Sequence, residues 1–458
     1  MFEPSSPRMP AHLTRRQVIQ AGLAAAATIP MLGPRITHGR QANETLNLAA
    51  VGVGGKGWSD LMPSSQGENV RVIALCDVDR NNLGNAANRF EDAGTYTDYR
   101  VMLDEMGNDI DALLVSTPDH MHGPIAIAAM QLGIHVHVQK PLAHNIAELR
   151  TMMQLAESNH LVTQMGTQIH SDQAYRTGAA MIREGAIGKI SEAHLWVSRS
   201  WGGPAEGRPN RRDEVPAHLD WEEWLGVAPA RPYVNGLYHP GNWRGWIDFG
   251  SGTLGDMGCH IFDPVFSSID IGTPTSVISR GPQHHRETFA LDSDISYQFE
   301  GTQYTTDELF FRWTDGNRGS RPDRNKAQLP EGVNLPAAGM FLVGEEGVML
   351  LPHWAMPTFY KDGEQLDIEV ESRGSNNHYT EFTDACRGVG ETSTPFSYSG
   401  RVTEAVLVGT IAGRFKDRQL AWDSENLRFD HDAATAVVHR EYADGREPEG
   451  LAGRAGQN

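Results

Sequence analysis

The stretch that most constrains this chain is TLNLAAVGVGGKG, residues 45–57, an apolar run that ends in Gly52-x-Gly54-x-x-Gly57. The first glycine permits a tight turn, the second lets backbone approach a pyrophosphate, and the third allows close helix–strand contact. Gly55 lies inside the same loop, and a helix beginning near Lys56 would aim its first amides at phosphate oxygens. With 48 glycines in 458 residues, chance could supply the spacing, so context has to decide. Leu46 to Val51 reads as a buried strand and VRVIALCDVD, residues 70–79, as the next parallel one. Asp77 therefore falls twenty residues beyond Gly57, where an acidic side chain holds an adenosine ribose hydroxyl. Asp77 with Asp79 opposes the extra phosphate of NADP and Arg80 alone would attract it, so NAD is the expected cofactor and NADP the alternative.

Length allows two domains of ordinary size, and a formal charge of -19 argues against a nucleic-acid surface. The first forty residues differ in composition. Thr14-Arg15-Arg16-Gln17-Val18-Ile19 precedes an apolar run, Ala21 to Leu32, that is too short to span a bilayer. This resembles a twin-arginine export signal, although Val18 and Gln20 replace its usual phenylalanine and lysine. Residues 1–42 are read as signal and linker, with cleavage between Gly33 and Ala42. The expectation is a periplasmic or otherwise exported protein with no stable membrane anchor, carrying its cofactor tightly bound. Cys76, Cys259 and Cys386 are far apart and suggest neither a disulfide framework nor a zinc site.

Residues 43–166 alternate strand and helix: Asp111–Thr117, His135–Pro141 and Leu161–Gly166 are apolar runs separated by helical spacing, the grammar of a doubly wound parallel sheet. Thr117 and Pro118 end one strand, which places His120 and His122 at its carboxyl edge, where such sheets bind ligands. No third ligand follows at metal spacing, so the two histidines are read as lining the crevice and no metal is expected. Gln139, Lys140 and Pro141 end the next strand at the same edge. After Gly166 the pattern becomes alternating (EAHLWVSRSW, SDISYQFEG, DELFFRWTDG, GMFLVGEEGVMLLP), which describes a mainly antiparallel open sheet over residues 167–458. Residues 202–220 and 316–334 are long Gly-, Pro- and Arg-rich loops. The helices predicted at 378–387 and 402–415 could return to the first domain.

This order of features resembles the Gfo/Idh/MocA family, glucose–fructose oxidoreductase and inositol dehydrogenase among its members. The resemblance rests on Gly52, Gly54 and Gly57, Asp77, Thr117-Pro118 with His122, Lys140-Pro141, and the stretch from Gly250 to His260. It implies a Rossmann domain followed by an open sheet whose face forms a sugar site, and often pairing of subunits through that sheet. Phe310 and Trp313 are expected as exposed aromatics that could serve such a homo-oligomer.

Read without the family, DMGCHIFDPVFSSI has helical spacing that puts Asp256 and His260 at i and i+4, an orienting carboxylate beside an imidazole base or a cap beside a packed histidine. The resemblance favours the first, with Lys140 hydrogen-bonding the substrate oxygen. Gln139 stands where the family has glutamate. Trp243 and Trp246 could stack on a sugar and Arg244 could bind its hydroxyl or carboxylate groups; packing is the alternative. Gln168 and His170 are weaker candidates for substrate contact.

The leading expectation is an NAD-dependent oxidoreductase acting on a secondary hydroxyl of a sugar, sugar derivative or polyol. The alternative is a glycoside-cleaving enzyme that oxidises a ring hydroxyl transiently, eliminates, adds water and returns the hydride. A non-catalytic sugar-binding protein of the same fold is the third reading.

Overall fold

The computed structural model describes residues 45–316 and 322–452, so the twin-arginine stretch lies outside the described residues. Six parallel strands, β1 (Leu46–Val51), β2 (Val70–Cys76), β3 (Gly94–Tyr96), β4 (Ala112–Val115), β5 (His135–Val138) and β6 (Thr163–Met165), line up in the order β3-β2-β1-β4-β5-β6. Burial on both faces explains why these strands read as continuous apolar runs. The order reverses between β1 and β4, and the carboxyl ends of those two strands open the crevice where such sheets take ligands. Side-chain caps fix the helices between them. Asp79, Asp98 and Asn145 accept amides from Asn81, Arg100 and Glu148 and so define the starts at Arg80, Tyr99 and Ile146.

The second sheet has ten strands among the described residues: β7 (Ile190–Val197), β8 (Ser276–Ser279), β9 (Asp294–Glu300), β10 (Thr305–Asp315), β11 (Ala338–Gly344), β12 (Gly347–Pro352), β13 (Thr358–Lys361), β14 (Glu364–Gln365), β15 (Gln419–Asp423) and β16 (Arg428–Phe429). Its order is β14-β13-β12-β11-β7-β10-β9-β8-β15-β16, antiparallel except where β7 meets β10. Period-two alternation sends Leu309, Phe311 and Trp313 to the inner face, against the helix Cys259–Ile269. Trp313 is therefore fully buried beside Phe262, at 5.7 Å between ring centres, and corrects the expectation of an exposed aromatic. Phe310, on the opposite face, is half-buried.

The described residues of both long loops have structure. The first continues into the segment 219–249, where Trp221, Trp224, Tyr238, Trp246 and Phe249 form, with Leu219, a largely aromatic cluster of their own. Bonds between Asp220 N and Val78 O and between Arg80 N and His218 O fasten it to the end of β2. In the second, residues 326–335 roof part of the outer sheet face. Ala327 and Leu329 pack on Trp196, Phe341, Val348 and Leu350, and Lys326 pairs with Glu192 at 2.5 Å. Helix His378–Cys386 places Phe382 and Cys386 in the core beneath β1 and β4. Cys76, Cys259 and Cys386 are free thiols, all buried.

Candidate active site

The glycine loop leaves no space for side chains where it turns. Gly52 has φ +79°, and a Cβ there would lie 2.7 Å from Ser116 O; at Gly57 it would lie 1.7 Å from Gly52 O. Gly54 faces the Asn82 side chain and Gly55, with φ +52°, precedes the helix Lys56–Ser64. Asp77, at the end of β2, accepts hydrogen bonds from Val53 N (2.9 Å), Gly54 N (3.2 Å) and Asp79 N (2.8 Å). Its carboxylate thus clamps the loop from below while bordering the crevice. Arg80 donates to Ala217 O and lies outside the cavity lining.

One cavity of about 570 Å³ runs from this loop to Lys140, Asp256 and His260. It is also lined by Thr117, Pro118, His122, Gln139, Gln168, Trp243 and Arg244, so the fold brings together two motif sets that lie far apart in the sequence.

The stretch from Gly250 to His260 departs from its expected geometry. It begins as a π turn, Leu254–Gly258, and only from Cys259 runs on as an α-helix to Ile269. A π turn closes on i+5 rather than i+4, so Asp256 and His260 do not pair as an α-helical reading requires. Asp256 turns instead to two cations: Oδ1 accepts from Lys140 Nζ at 2.8 Å and from Arg244 Nε at 2.9 Å. Lys140 also donates to Asp256 O at 2.7 Å, and Arg244 lies 4.3 Å over the Trp243 ring. Burial pushes the Asp256 carboxyl up, but Lys140 and Arg244 outweigh it and hold it well below the usual carboxylate range. The partner of His260 is Thr167, with Oγ1 3.3 Å from Nδ1, which corrects the role of Asp256 as orienter. Burial, reinforced by Lys140, drives the His260 imidazole well below its ordinary value, so it is neutral at neutral pH.

Three further expectations change. His170 lies outside the cavity lining, its Nδ1 2.9 Å from the buried Asp263, which also accepts from the Tyr398 hydroxyl at 2.8 Å. Trp246 is buried in the aromatic cluster and donates to Leu237 O, so it offers no face to a ligand. His120 is fully buried against Trp224 and Phe249, away from the crevice. His122 does border the cavity, with its ring between Pro141 O (2.7 Å) and Thr117 O (2.8 Å), a brace between the ends of β4 and β5.

Sequence reasoning missed two carboxylates. Asp60, fully buried one turn into the first helix, accepts from Gln139 Nε2 at 2.9 Å and Ser116 Oγ at 2.8 Å and pairs with Lys56. A negative charge thus stands directly behind Gln139. Asp119 lines the cavity and is 4% exposed; burial pushes its carboxyl up to about 7 against the pull of Lys140 and Arg244. Its only sequence signal is its place directly after Thr117-Pro118. Among the described residues, no group of three His, Cys, Asp or Glu is placed to hold a metal ion.

The residues fit a dinucleotide. Gly52, Gly54 and Gly57 have no space for a Cβ, and the buried Thr117 Oγ1 and Gln168 Oε1, both on the cavity wall, lack a hydrogen-bond partner. Fold and cavity together define a two-domain nucleotide-dependent protein with a Rossmann sheet and an open sheet.

Comparison with known proteins gives the family. Residues 46–167 match the family model described as "Oxidoreductase family, NAD-binding Rossmann fold", and residues 191–307 match its "C-terminal alpha/beta domain". The chain belongs to the Gfo/Idh/MocA oxidoreductase family and carries its NAD-binding domain. A levoglucosan dehydrogenase of Pseudarthrobacter phenanthrenivorans is 28% identical over 178 residues, 39% of this chain and 37% of that protein. A glycosyl hydrolase family 109 protein of Akkermansia muciniphila is 28% identical over 208 residues, 42% of this chain and 43% of its own length. The alignments therefore span less than half of these curated relatives. The WlbA dehydrogenase of Bordetella pertussis, solved with NADH and UDP-GlcNAcA, shares the fold at a TM-score of 0.57 and 17% identity, over 83% of this chain and 99% of that one.

Proposed function

We propose that this protein is an exported oxidoreductase that acts on a secondary hydroxyl of a sugar, sugar derivative or polyol with NAD retained between turnovers. The observation that carries the reading is the Lys140–Asp256 pair, 2.8 Å apart, in the same cavity as the glycine loop and Asp77. Gly52, Gly54, Gly55, Gly57, Asp77, Thr117 and Pro118 would hold the nucleotide, with Gln139 and Lys140 at its reactive end. NAD supplies the hydride acceptor when bound.

Oxidising an alcohol also requires a partner for the hydroxyl proton. In this reading the substrate oxygen lies between Lys140 and His260. With Nδ1–H donated to Thr167, the Nε2 lone pair of His260 accepts the hydrogen bond of the hydroxyl. The Lys140 ammonium, aimed by Asp256, stabilises the developing alkoxide. Arg244 and Gln168 bind neighbouring hydroxyls. Trp224, His239 and Pro240 also line the cavity and come from the loop fastened over β2, which supports slow nucleotide exchange.

The glycoside-cleaving alternative uses the same residues, and the family 109 relative favours keeping it. Incubation with 4-nitrophenyl glycosides separates the two: nitrophenol released with no added NAD and no net NADH supports cleavage, whereas a free sugar that reduces the bound NAD to NADH, up to one equivalent per site, and turns over only when a carbonyl acceptor is added to take the hydride back, supports oxidation. Lys140→Ala should abolish either activity and leave nucleotide bound; full activity in that variant sinks the assignment. Export is tested by whether Arg15→Lys/Arg16→Lys retains the protein in the cytoplasm of a host with the twin-arginine pathway. A homo-oligomer belongs to the same reading. Because residues 327–335 roof the β11–β12 end of the outer face, pairing through this sheet would use β9 and β10, and light scattering checks the mass.

A further inference from the structure

The turn between β12 and β13 carries a feature that the cavity does not absorb. Trp354 is 54% exposed, the only aromatic among the exposed large apolar side chains of the described residues. It has φ +66°, a region that bulky side chains rarely adopt. Its neighbour His353 is half-buried and faces two ways. Nδ1 is 2.8 Å from the hydroxyl of the buried Tyr175, which fixes the ring, and the ring centre is 6.1 Å from that of His260 and 5.5 Å from that of Trp354. Burial pushes the His353 imidazole down to about 4, so at neutral pH it is a neutral hydrogen-bonding group. A row of rings therefore leads from the reactive end of the cavity to an exposed indole.

We propose that His353 and Trp354 form an outer subsite for a second sugar ring, so that the substrate is a glycoside rather than a free monosaccharide. This rests on the functional reading above and adds its substrate class. The ring to be oxidised sits against Lys140 and His260, its neighbour across the glycosidic bond meets His353, and the apolar face of that neighbour lies on Trp354. An indole face suits the C–H face of a pyranose, and its hydrogen bonds need only a neutral partner beside it.

The test measures binding to the nucleotide-loaded protein by calorimetry, with monosaccharides, their 4-nitrophenyl glycosides and their disaccharides as probes. Wild type should bind at least one glycoside about tenfold more tightly than its parent monosaccharide. Trp354→Gly, which suits the backbone angle and removes the ring, should erase that advantage without changing monosaccharide affinity or retained NAD, and Trp354→Tyr should keep most of it. If wild type binds sugars with no such advantage, or if Trp354→Gly preserves it, the subsite is overturned and the functional reading stands. If no carbohydrate binds wild type at all, both fall.

Discussion

The two ends of the cavity are built on different principles. The glycine-loop end is a backbone device: Gly52 and Gly57 are required because a Cβ would collide with main-chain oxygens. The Lys140–Asp256 end is a side-chain device, in which the segment after β5, the 3-10 turn Asn242–Gly245 and the π turn each contribute one charged group. Backbone devices tolerate almost no change, whereas side-chain networks lose function in graded steps.

The largest effect should therefore come from Gly57→Ala. With 1.7 Å to Gly52 O, the loop cannot relax around the methyl, and we expect loss of copurified nucleotide together with destabilisation of about 3 kcal/mol or more. Nucleotide absorbance and denaturant unfolding would measure both, and a protein that keeps its NAD would break the distinction between the two ends. Next is Asp256→Asn, which leaves Lys140 and Arg244 facing each other without their shared anion. Turnover should fall by about a hundredfold or more with NAD still bound, read by single-turnover NADH formation.

Asp119 gives a pH signature. Its folded value, about 7, lies above the ordinary carboxylate value of 3.8, so between those limits the folded state binds more protons than the unfolded one. This contribution to stability is full at low pH and declines as pH rises from about 4 towards about 7. Asp119→Asn should flatten that part of the stability curve, as followed by urea unfolding from pH 5 to 8; an unchanged slope would remove Asp119 from the account. Thr167→Val should be milder, lowering turnover by roughly tenfold or less through one lost hydrogen bond to His260, with Asp256→Asn not reproducing its effect on the imidazole NMR shifts. Smallest of all, Arg80→Ala should leave the preference for NAD over NADP within about twofold, since Arg80 bonds Ala217 O outside the cavity.

The first end was largely legible in the sequence because glycine spacing, strand periodicity and the position of Asp77 are local properties. The second was legible in membership but not in wiring. Lys140, Asp256 and His260 do share the cavity, yet helical spacing paired the wrong two, since nothing in LGDMG announces a π turn. Trp313 and Trp246 were misplaced for a related reason: an aromatic on an alternating strand or in a loop has no face until its neighbours are packed.

By itself the sequence determined the parallel sheet, the glycine loop and the change to an open antiparallel sheet, because these follow from short-range periodicity and backbone sterics. Only the tertiary structure decided that Asp256 serves Lys140 and Arg244, that Thr167 rather than Asp256 holds His260, that Asp60 stands behind Gln139, and that Trp354 is left exposed. Those assignments depend on contacts between residues far apart in the chain, whose geometry is fixed by how helices and sheets pack rather than by any local pattern.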